Sequence, residues 1–530
     1  MGDIGRWRSV GISMATPTLL LFLLSSVCLA RSFGVPANGF MDDFEDGNLT
    51  DMKGSGFAIS SNAIYGSKSL ACKTVANASY TTAYLRSISE GMDSGWRRIS
   101  QGALSAVIVG DSDGSVPGIG FVATNGGAVY AVLNLATQTM SICSRSPKGA
   151  VTELKSIQVT ISAGDKSKLE VLWSPLANAC IASLYAERET SWYLKESLRA
   201  LANLPDARYP FIGDSGGGAR FDDVTFDPNL DNWNYDWEFY TSPILVPEKP
   251  AAYGTSATNF ANGVHWKWTQ DDKFYMRMRN GVTYSSSDVL HWNKVGVSPI
   301  WCPSDPCLLI DPFGDGCVYM SSRSFPWFRS DGSDGFVKWD IVAGLGLNTH
   351  GLKGALQDII DVRRFPGLLD SVSFRGKRYR FVGVGEYTFD PFSSIVLSND
   401  LHTWVRPDTV NPVPARTRGR NWEERGDAIG CAYPMADGNI LIISCTCTAS
   451  GYTGGGFEAT NVTAVLDGRQ PWKTLKVSRL PMTPASSTDW TKGPNMPNSF
   501  VYDEADDVLY FFSDFGDKAQ GVSRVRNFSK

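Results

Sequence analysis

The sequence predicts an all-β protein, with an N-terminal β-sandwich of the jelly-roll type followed by a C-terminal five-bladed β-propeller. Three observations lead to this prediction. Short apolar runs alternate with turn-forming residues, stretches with helical periodicity are scarce, and one strand–turn–strand unit recurs five times in the second half. Aromatic residues make up 12% of the 530 residues and Gly numbers 52, a composition that favours strands joined by many turns.

The charge balance argues against some classes of partner. The formal net charge is −5, and no basic run stands out. The sequence therefore gives no argument for binding to nucleic acid or to an anionic membrane surface.

The first 30 residues have the pattern of a secretory signal peptide. Arg6 and Arg8 precede an apolar run from Pro17 to Leu29, and the small residues near Ala30 suit a cleavage site. We expect cleavage after Ala30, and an uncleaved anchor is the alternative. No later segment is long and apolar enough to cross a bilayer. The expected location is extracellular, or periplasmic if the source is bacterial.

Four Asn-x-Ser/Thr sequons agree with secretion and predict a glycoprotein if the host glycosylates. They begin at Asn48, Asn77, Asn461 and Asn527.

The cysteines predict disulfide bonds. Of the 10 Cys, Cys28 leaves with the signal peptide, and in an oxidising compartment the remaining nine should largely pair, with one left over. Cys302 and Cys307 could close a short loop, and the other connections stay open. Zinc is the rival interpretation, but none of the four His has the spacing of a Cys/His site.

Residues 39–228 are the predicted sandwich. Alternating runs such as ALSAVIVG, AVYAVLNL and KLEVLWS are separated by Gly, Asp, Ser and Asn turns. A connecting helix is predicted over Lys195–Leu204. The acidic clusters at the two ends of the segment should lie on neighbouring terminal strands.

This segment resembles the laminin-G or concanavalin-like jelly-roll modules of secreted carbohydrate-active proteins. The resemblance rests on the opening Asp42–Gly47 and the closing Phe221–Val224. Carboxylates such as Asp43 and Asp223 could supply oxygen ligands to a structural calcium ion that ties the termini together. The alternative is that they are ordinary surface and turn carboxylates. No other cofactor is expected.

Residues 229–245 form an aromatic linker, NLDNWNYDWEFYTSPIL. We expect its rings to pack between the two domains. A platform that stacks on sugar rings is the alternative.

Residues 246–530 carry the repeat. The tail Ser-x-Asp-x-x-x-Trp appears at Ser286–Trp292 and again at Ser398–Trp404, with a looser copy at Ser333–Trp339 and a degraded one at Asp467–Trp472. Each unit also holds two apolar strands around a turn rich in Gly and Asp. A small sheet of this kind cannot bury both faces alone, and radial repetition buries each sheet against its neighbours.

These repeats resemble the five-bladed propeller glycoside hydrolases of families 32, 43, 62, 68 and 117. The resemblance covers about residues 250–520 and includes Arg364-Phe365-Pro366 and Pro497–Val501. It implies a secreted glycosidase with a carbohydrate substrate, acting through two carboxyl groups at one end of the propeller funnel. It says nothing of the oligomeric state.

Three acids are the predicted catalytic residues. By this resemblance Asp370 stabilises the oxocarbenium-like charge, and Glu424 is the general acid, with Glu423 and Asp427 as rivals. Asp305 is placed like a substrate-contacting residue at a blade entry. Strand-end turns and a charged surface loop are the structural alternatives.

The remaining predicted contacts are to substrate. They are Asn259, Trp266, Arg364, Arg420, Glu423, Asp427 and His350. Arg416, Arg418 and Arg420 together would favour an acidic sugar. For His350, a structural role is the alternative.

The first unit departs from the family pattern. In the invertase-like families its entry loop carries a nucleophilic Asp, but here Phe260 occupies that position within Asn259–Gly263. A Phe can neither attack an anomeric carbon nor activate water. A non-catalytic secreted carbohydrate-binding or adhesion protein on the same scaffold is therefore the second hypothesis. A sialidase-like enzyme is a third.

Overall fold

The computed structural model describes most of the chain from Gly39 to Ser529. The residues outside this description are 1–38, 86–88, 90, 177, 190, 205, 231–233, 247–262, 279, 301–306, 322–326, 343–359, 364–371, 387–392, 400–403, 406–426, 449–457, 480–494, 516–518 and 530. In several strands only the backbone is described. All regular elements among the described residues are β-strands, which confirms the predicted all-β class.

The N-terminal half contains fourteen strands. They are β1 (Phe40–Asp42), β2 (Met52–Ser60), β3 (Ser69–Tyr80), β4 (Trp96–Arg98), β5 (Gly102–Gly110), β6 (Pro117–Val122), β7 (Ala128–Asn134), β8 (Thr139–Arg145), β9 (Val151–Gln158), β10 (Lys166–Ser174), β11 (Ala179–Arg188), β12 (Ser191–Leu201), β13 (Tyr209–Asp214) and β14 (Ala219–Asp227).

All of these strands except β4 form one antiparallel hydrogen-bonded sheet. Its order is β12-β11-β10-β5-β14-β3-β13-β6-β7-β8-β9, with β1 added to β14 and β2 to β3. The sheet folds over, so that β10, β11 and β12 contact β6 to β9. Buried side chains from both halves, including Phe121, Trp173 and Phe226, fill the space between the layers. Alternate residues point to opposite faces of a strand, and this alternation produces the sandwich core.

The ends of the sandwich meet as expected. Strand β1 pairs with β14, which places Asp42 opposite Val224. The predicted helix over Lys195–Leu204 is wrong, because these residues belong largely to β12. That strand pairs with β11 from Arg188↔Ser191 to Ala179↔Leu201. Long-range pairing overrides the local helical propensity of the KESLRAL segment.

The second half contributes the remaining strands. They are β15 (Glu238–Tyr240), β16 (Val264–Trp268), β17 (Lys273–Arg277), β18 (Val282–Ser286), β19 (Asn293–Val297), β20 (Cys307–Ile310), β21 (Val318–Ser321), β22 (Phe328–Ser330), β23 (Asp340–Ile341), β24 (Ile360–Arg363), β25 (Ser373–Phe374), β26 (Lys377–Arg378), β27 (Phe381–Glu386), β28 (Ser393–Ser398), β29 (Trp404–Val405), β30 (Asp427–Pro434), β31 (Ile440–Thr448), β32 (Glu458–Leu466), β33 (Thr474–Val477), β34 (Asn495–Asp503), β35 (Val508–Phe515) and β36 (Gln520–Arg526).

These strands form five successive antiparallel sheets of four or five strands. The orders are β16-β17-β18-β19, β20-β21-β22-β23, β24-β27-β28-β29, β30-β31-β32-β33 and β34-β35-β36-β15-β4. We call the first strand of each sheet its inner strand. Inner strand β16 contacts both β20 and β34, β20 contacts β24, and β30 contacts β34. Contacts between the first and last sheets close the series, which gives the radial arrangement of a β-propeller.

The repeated tail has a common structural basis. In the first sheet, the Asp288 carboxylate accepts hydrogen bonds from the backbone N–H groups of Leu290 and His291, at 3.0 and 2.8 Å. The Trp292 indole N–H then donates to the Val289 carbonyl at 2.8 Å. The Asp side chain thus fixes the turn, and the Trp ring covers it.

The looser copy in the second sheet has the same geometry. Asp334 accepts from the N–H groups of Val337 and Lys338. The Trp339 indole N–H donates to the Phe336 carbonyl at 2.8 Å. Phe336 has a φ of 62° and Val289 a φ of 61°, so the two copies share this backbone conformation as well.

The last sheet is completed from outside the propeller segment. Strand β36 pairs with β15, which precedes the propeller, and β15 pairs with β4, which lies within the segment predicted to be all sandwich. The aromatic residues of the linker pack here, with the ring centroid of Trp237 6.2 Å from Phe500 and that of Tyr235 4.9 Å from Phe528.

The sandwich also contacts the fourth sheet. Leu172 and Ile181 of the sandwich share a buried cluster with Val462 of β32. No helix among the described residues is long and apolar enough to cross a membrane.

Candidate functional site

A cavity of about 510 Å³ lies between the inner strands of four sheets. It is bordered by most of β16 and β20, by the C-terminal parts of β30 and β34, and by the turns that follow β16 and β34. Residues that represent these elements are Lys267, Ile310, Tyr433 and Asp503. The volume falls within the range of small-molecule sites.

The residues that line this cavity show in which direction the inner strands run. Because the C-terminal parts of four inner strands border one cavity, these strands run in the same direction along the propeller axis. Their N-terminal ends therefore lie at the other end of the channel. Asp427 is the first residue of β30, and its backbone pairs with Thr446, whereas Tyr433 and Pro434 at the far end of that strand border the cavity.

Most of the predicted site residues lie outside the described residues. They are Asn259, Asp305, His350, Arg364, Asp370, Arg420, Glu423 and Glu424. In the sequence, Asp305 shortly precedes inner strand β20, and Glu423 and Glu424 shortly precede inner strand β30. Their roles stay predictions, as does that of Asp427, for which only the backbone is described.

The third sheet differs from the predicted hairpin. The strand that follows Asp370, β25, pairs only with β26, as a separate two-stranded hairpin. The inner strand of this sheet is β24, which pairs with β27. Asp370 therefore lies between the inner strand and an inserted hairpin, and not at the start of the inner strand.

Trp266, the predicted substrate-binding residue whose side chain is described, packs between two sheets. It is 1% exposed. Its ring stacks on Tyr275 with centroids 5.6 Å apart and meets the Phe336 ring edge-on at 5.1 Å. Trp266 also borders the cavity, but most of its surface joins the first sheet to the second.

Lys267 forms ion pairs with two carboxylates at the cavity. Its ammonium lies 2.5 Å from the Asp503 carboxylate and 2.8 Å from the Asp272 carboxylate. Burial alone would lower the pKa of Lys267, but its hydrogen bonds to Asp272 and Asp503 raise that pKa above its usual value. Lys267 therefore stays charged and joins the first sheet to the last.

His265 borders the same cavity and is uncharged. It is 3% exposed, and its ring stacks flat on Phe512 with centroids 4.0 Å apart. Burial lowers the pKa of His265 to about 3, so the ring is neutral at physiological pH. Its backbone N–H donates to the Ser499 hydroxyl at 3.0 Å. No motif surrounds this His in the sequence, and only its place in the apolar run HWKW indicates burial.

The two proposed calcium ligands lie in different local structures, Asp43 after β1 and Asp223 within β14. Asp43 accepts a hydrogen bond from the Glu45 N–H at 3.2 Å. Asp223 has a φ of 46° and lies where the β14–β5 register shifts. Among the residues that the structure describes, no group of three or more His, Cys, Asp and Glu side chains could hold a metal ion.

The predicted disulfide network is not supported by the described cysteines. Cys72, Cys143, Cys180 and Cys317 are free thiols. Burial raises the pKa of Cys72 and of Cys143 to about 11, so both are protonated and poorly reactive. The side chains of Cys302, Cys307, Cys445 and Cys447 lie outside the description.

Comparisons with known proteins give fold likenesses only. No protein-family model and no curated protein matches the sequence. Similar solved structures include a glycosyl hydrolase from Bacteroides ovatus that is 13% identical to this chain. The matched region covers 56% of this chain and 95% of the hydrolase, with a TM-score of 0.42. A structure from the GH130 family of mannoside phosphorylases is 14% identical and covers 56% and 95%, with a TM-score of 0.38. The carbohydrate-binding module CBM66 from Bacillus subtilis is 10% identical and covers 34% and 97%, with a TM-score of 0.25. At these identities and TM-scores, the likenesses assign neither a family nor an activity to this chain.

Proposed function

We propose that this protein is a secreted glycoside hydrolase that acts on a poly- or oligosaccharide through carboxyl groups in the propeller funnel. The observation that carries the proposal is the common direction of the inner strands. Asp427 opens β30, and Asp305, Glu423 and Glu424 shortly precede inner strands. Strands of common direction bring such entry segments to one end of the channel, and glycoside hydrolysis needs two carboxyl groups that flank one bond.

In this proposal Glu424 is the general acid. It donates a proton to the leaving oxygen, and Asp370 stabilises the positive charge that develops on the sugar ring. Asp305 contacts the substrate at the second entry. Arg364 and Arg420 would select a substrate that carries a carboxylate or a sulfate, because guanidinium groups bind such anions with two parallel hydrogen bonds.

A glycan screen with the purified protein tests the proposal. The wild type should release reducing sugar from at least one neutral or acidic polysaccharide, and Glu424→Gln should lower the rate by about 100-fold or more. The control is Asp506→Asn, an exposed carboxylate outside the cavity, which should hydrolyse the same substrate normally. Equal rates for wild type and Glu424→Gln would remove Glu424 from the mechanism.

The alternative is a secreted carbohydrate-binding or adhesion protein without hydrolytic activity. Phe260 favours it, since this side chain stands where the related pattern has its nucleophilic or basic Asp. The two functions separate in one experiment on a glycan that the protein retains. Retention of the intact glycan without release of product supports the binding protein, and release of product supports the hydrolase.

Secretion and the calcium site belong to the same proposal. N-terminal sequencing of the protein recovered from a secreting host should begin at Arg31. If Asp43 and Asp223 hold calcium, a chelator should lower the unfolding temperature, and Asp43→Asn should abolish that effect.

A further inference from the structure

The cavity bordered by β16, β20, β30 and β34 contains none of the predicted catalytic acids among its described lining residues. Its wall includes the buried His265, Leu309 and Val501, while its rim, formed by Asp272, Glu504 and Ala505, is exposed to solvent. The proposed hydrolysis uses the other end of the channel and leaves this cavity unassigned.

The charges of the described side chains that line the cavity do not balance. Its described lining contains three carboxylates, from Asp272, Asp503 and Glu504, but Lys267 is the one ammonium among those residues. His265 is neutral at physiological pH because burial lowers its pKa to about 3. Lys267 is already shared between Asp272 and Asp503, so the lining keeps an excess of negative charge, located towards Glu504.

Aromatic rings stand next to this negative charge. Tyr433 of the fourth sheet and Phe500 and Tyr502 of the last sheet border the cavity. Burial, then Tyr502 and then Glu504 raise the pKa of Tyr433, so the Glu504 carboxylate acts on the Tyr433 hydroxyl, which stays protonated. A protonated phenol can donate a hydrogen bond, and aromatic faces attract cations and cover apolar faces of a ligand.

We propose that this cavity is a second ligand site, which binds a small hydroxylated amine such as an amino sugar. The protonated amine would pair with Glu504, and the hydroxyl groups would bond to Tyr433 and to the Lys267–Asp503 pair. A neutral sugar of the same shape lacks the charge that this lining favours, and an anion is disfavoured by it. The site is independent of the proposed hydrolysis.

Ligand-detected NMR titration with two matched probes tests the charge requirement. The probes are D-glucosamine and D-glucose at about pH 6, where the amine is protonated. Glucosamine should bind about tenfold more tightly, the factor that one additional charge-assisted hydrogen bond supplies. Added salt should reduce this preference. Equal affinity for the two probes would overturn the proposal.

Two variants locate the site. Ala505→Trp should block the exposed rim and abolish glucosamine binding, whereas Ala436→Trp, the same change in the corresponding turn of the fourth sheet, should not. Glu504→Gln should reduce the preference for glucosamine over glucose, whereas Asp506→Asn, which removes an exposed charge outside the cavity from the same turn, should preserve it. Thermal unfolding shows whether each variant is folded.

Glu424→Gln separates this proposal from the proposed hydrolysis. If Glu424→Gln binds glucosamine like the wild type while Ala505→Trp does not, the cavity is the site. If Ala505→Trp binds it normally and Glu424→Gln does not, the amine binds at the predicted catalytic end, and the second site is disproved while the hydrolase proposal stands.

Discussion

The guanidinium of Arg479 lies 2.5 Å from the carboxylate of Glu170 and joins the end of the fourth propeller sheet to strand β10 of the sandwich. The Tyr185 hydroxyl donates to the same carboxylate oxygen at 3.0 Å. The Glu170 side chain is 11% exposed, so its negative charge depends on these partners instead of on water.

Removal of this guanidinium should weaken the molecule. We expect Arg479→Ala to lower the free energy of unfolding by about 1–3 kcal/mol. The variant leaves the buried Glu170 carboxylate without the guanidinium, while the Tyr185 hydroxyl still donates to it. Urea denaturation measures the change. Arg469→Ala, an exposed Arg in the same sheet, is the control and should have little effect. Equal stabilities of the two variants would contradict the prediction.

The carboxylate of Glu238 should be the main electrostatic contact of the last sheet. It accepts from Arg524 at 2.7 Å and from Arg526 at 2.6 Å, and its side chain is 8% exposed. We expect Glu238→Ala to cost about 3 kcal/mol, since it leaves the Arg524 charge with less compensation.

The control for that experiment is Asp236→Ala. Asp236 lies in the same linker, 3.8 Å from Arg98, but is 92% exposed, and such pairs contribute little. Limited proteolysis of the linker offers a second measurement. If Glu238→Ala resists cleavage as well as Asp236→Ala does, Glu238 does not hold β15 in place.

Asp222 should make the stability of the sandwich depend on pH. Burial raises the pKa of this carboxyl from 3.8 to about 7, against the effect of hydrogen bonds from the N–H groups of Tyr65 and Asp223. A folded-state pKa above the unfolded value means that the folded protein binds the proton more tightly. The stabilisation is therefore complete below about pH 4 and is lost as the pH rises through about 7.

Asp222→Asn should remove this dependence. Asn carries no charge that titrates, so the free energy of unfolding of the variant should not change with pH through this group. Its single amide oxygen can accept only one of the two backbone hydrogen bonds that the Asp222 carboxylate accepts through separate oxygens, so part of the gain in stability at alkaline pH is lost. Thermal unfolding across the range checks this, with the exposed Asp113→Asn as control. An unchanged slope in Asp222→Asn would assign the pH dependence to other groups.

The four sequons should differ in glycosylation. Asn48, Asn77 and Asn527 are exposed, whereas Asn461 is fully buried in β32. In a eukaryotic secretory host, mass spectrometry of glycopeptides should detect glycans at the first three and none at Asn461. Substantial glycan occupancy at Asn461 would contradict the prediction, because this side chain is 0% exposed in the folded protein.

The repeated parts of the fold were predictable because their causes are local. The Asp288–Trp292 turn and its Asp334–Trp339 copy close on themselves through hydrogen bonds within a few residues, so their pattern is visible in the sequence. Strand alternation in the sandwich was visible for the same reason.

The non-local parts were not predictable. Residues Trp96–Arg98 carry no signal that assigns them to a sheet of the second half, since their partner is Glu238–Tyr240. The helical periodicity of Lys195–Leu204 is overridden by its pairing with β11. Of the candidate site, the sequence indicated the strand entries, but not the Lys267–Asp503 pair, whose members are 236 positions apart.

The contact between Arg524 and Asp93 has a consequence for synthesis on the ribosome. These residues are 431 positions apart, and Arg524 also lies over the Trp96 ring at 3.9 Å. At roughly 5–20 residues per second, β4 is made roughly 20–90 s before its side chains can meet Arg524. Strand β4 can pair with β15 long before then, but the other edge of β15 stays without β36 during that interval, and such edges recruit other chains. Ribosomal stalling before β36 should therefore yield aggregated nascent chains.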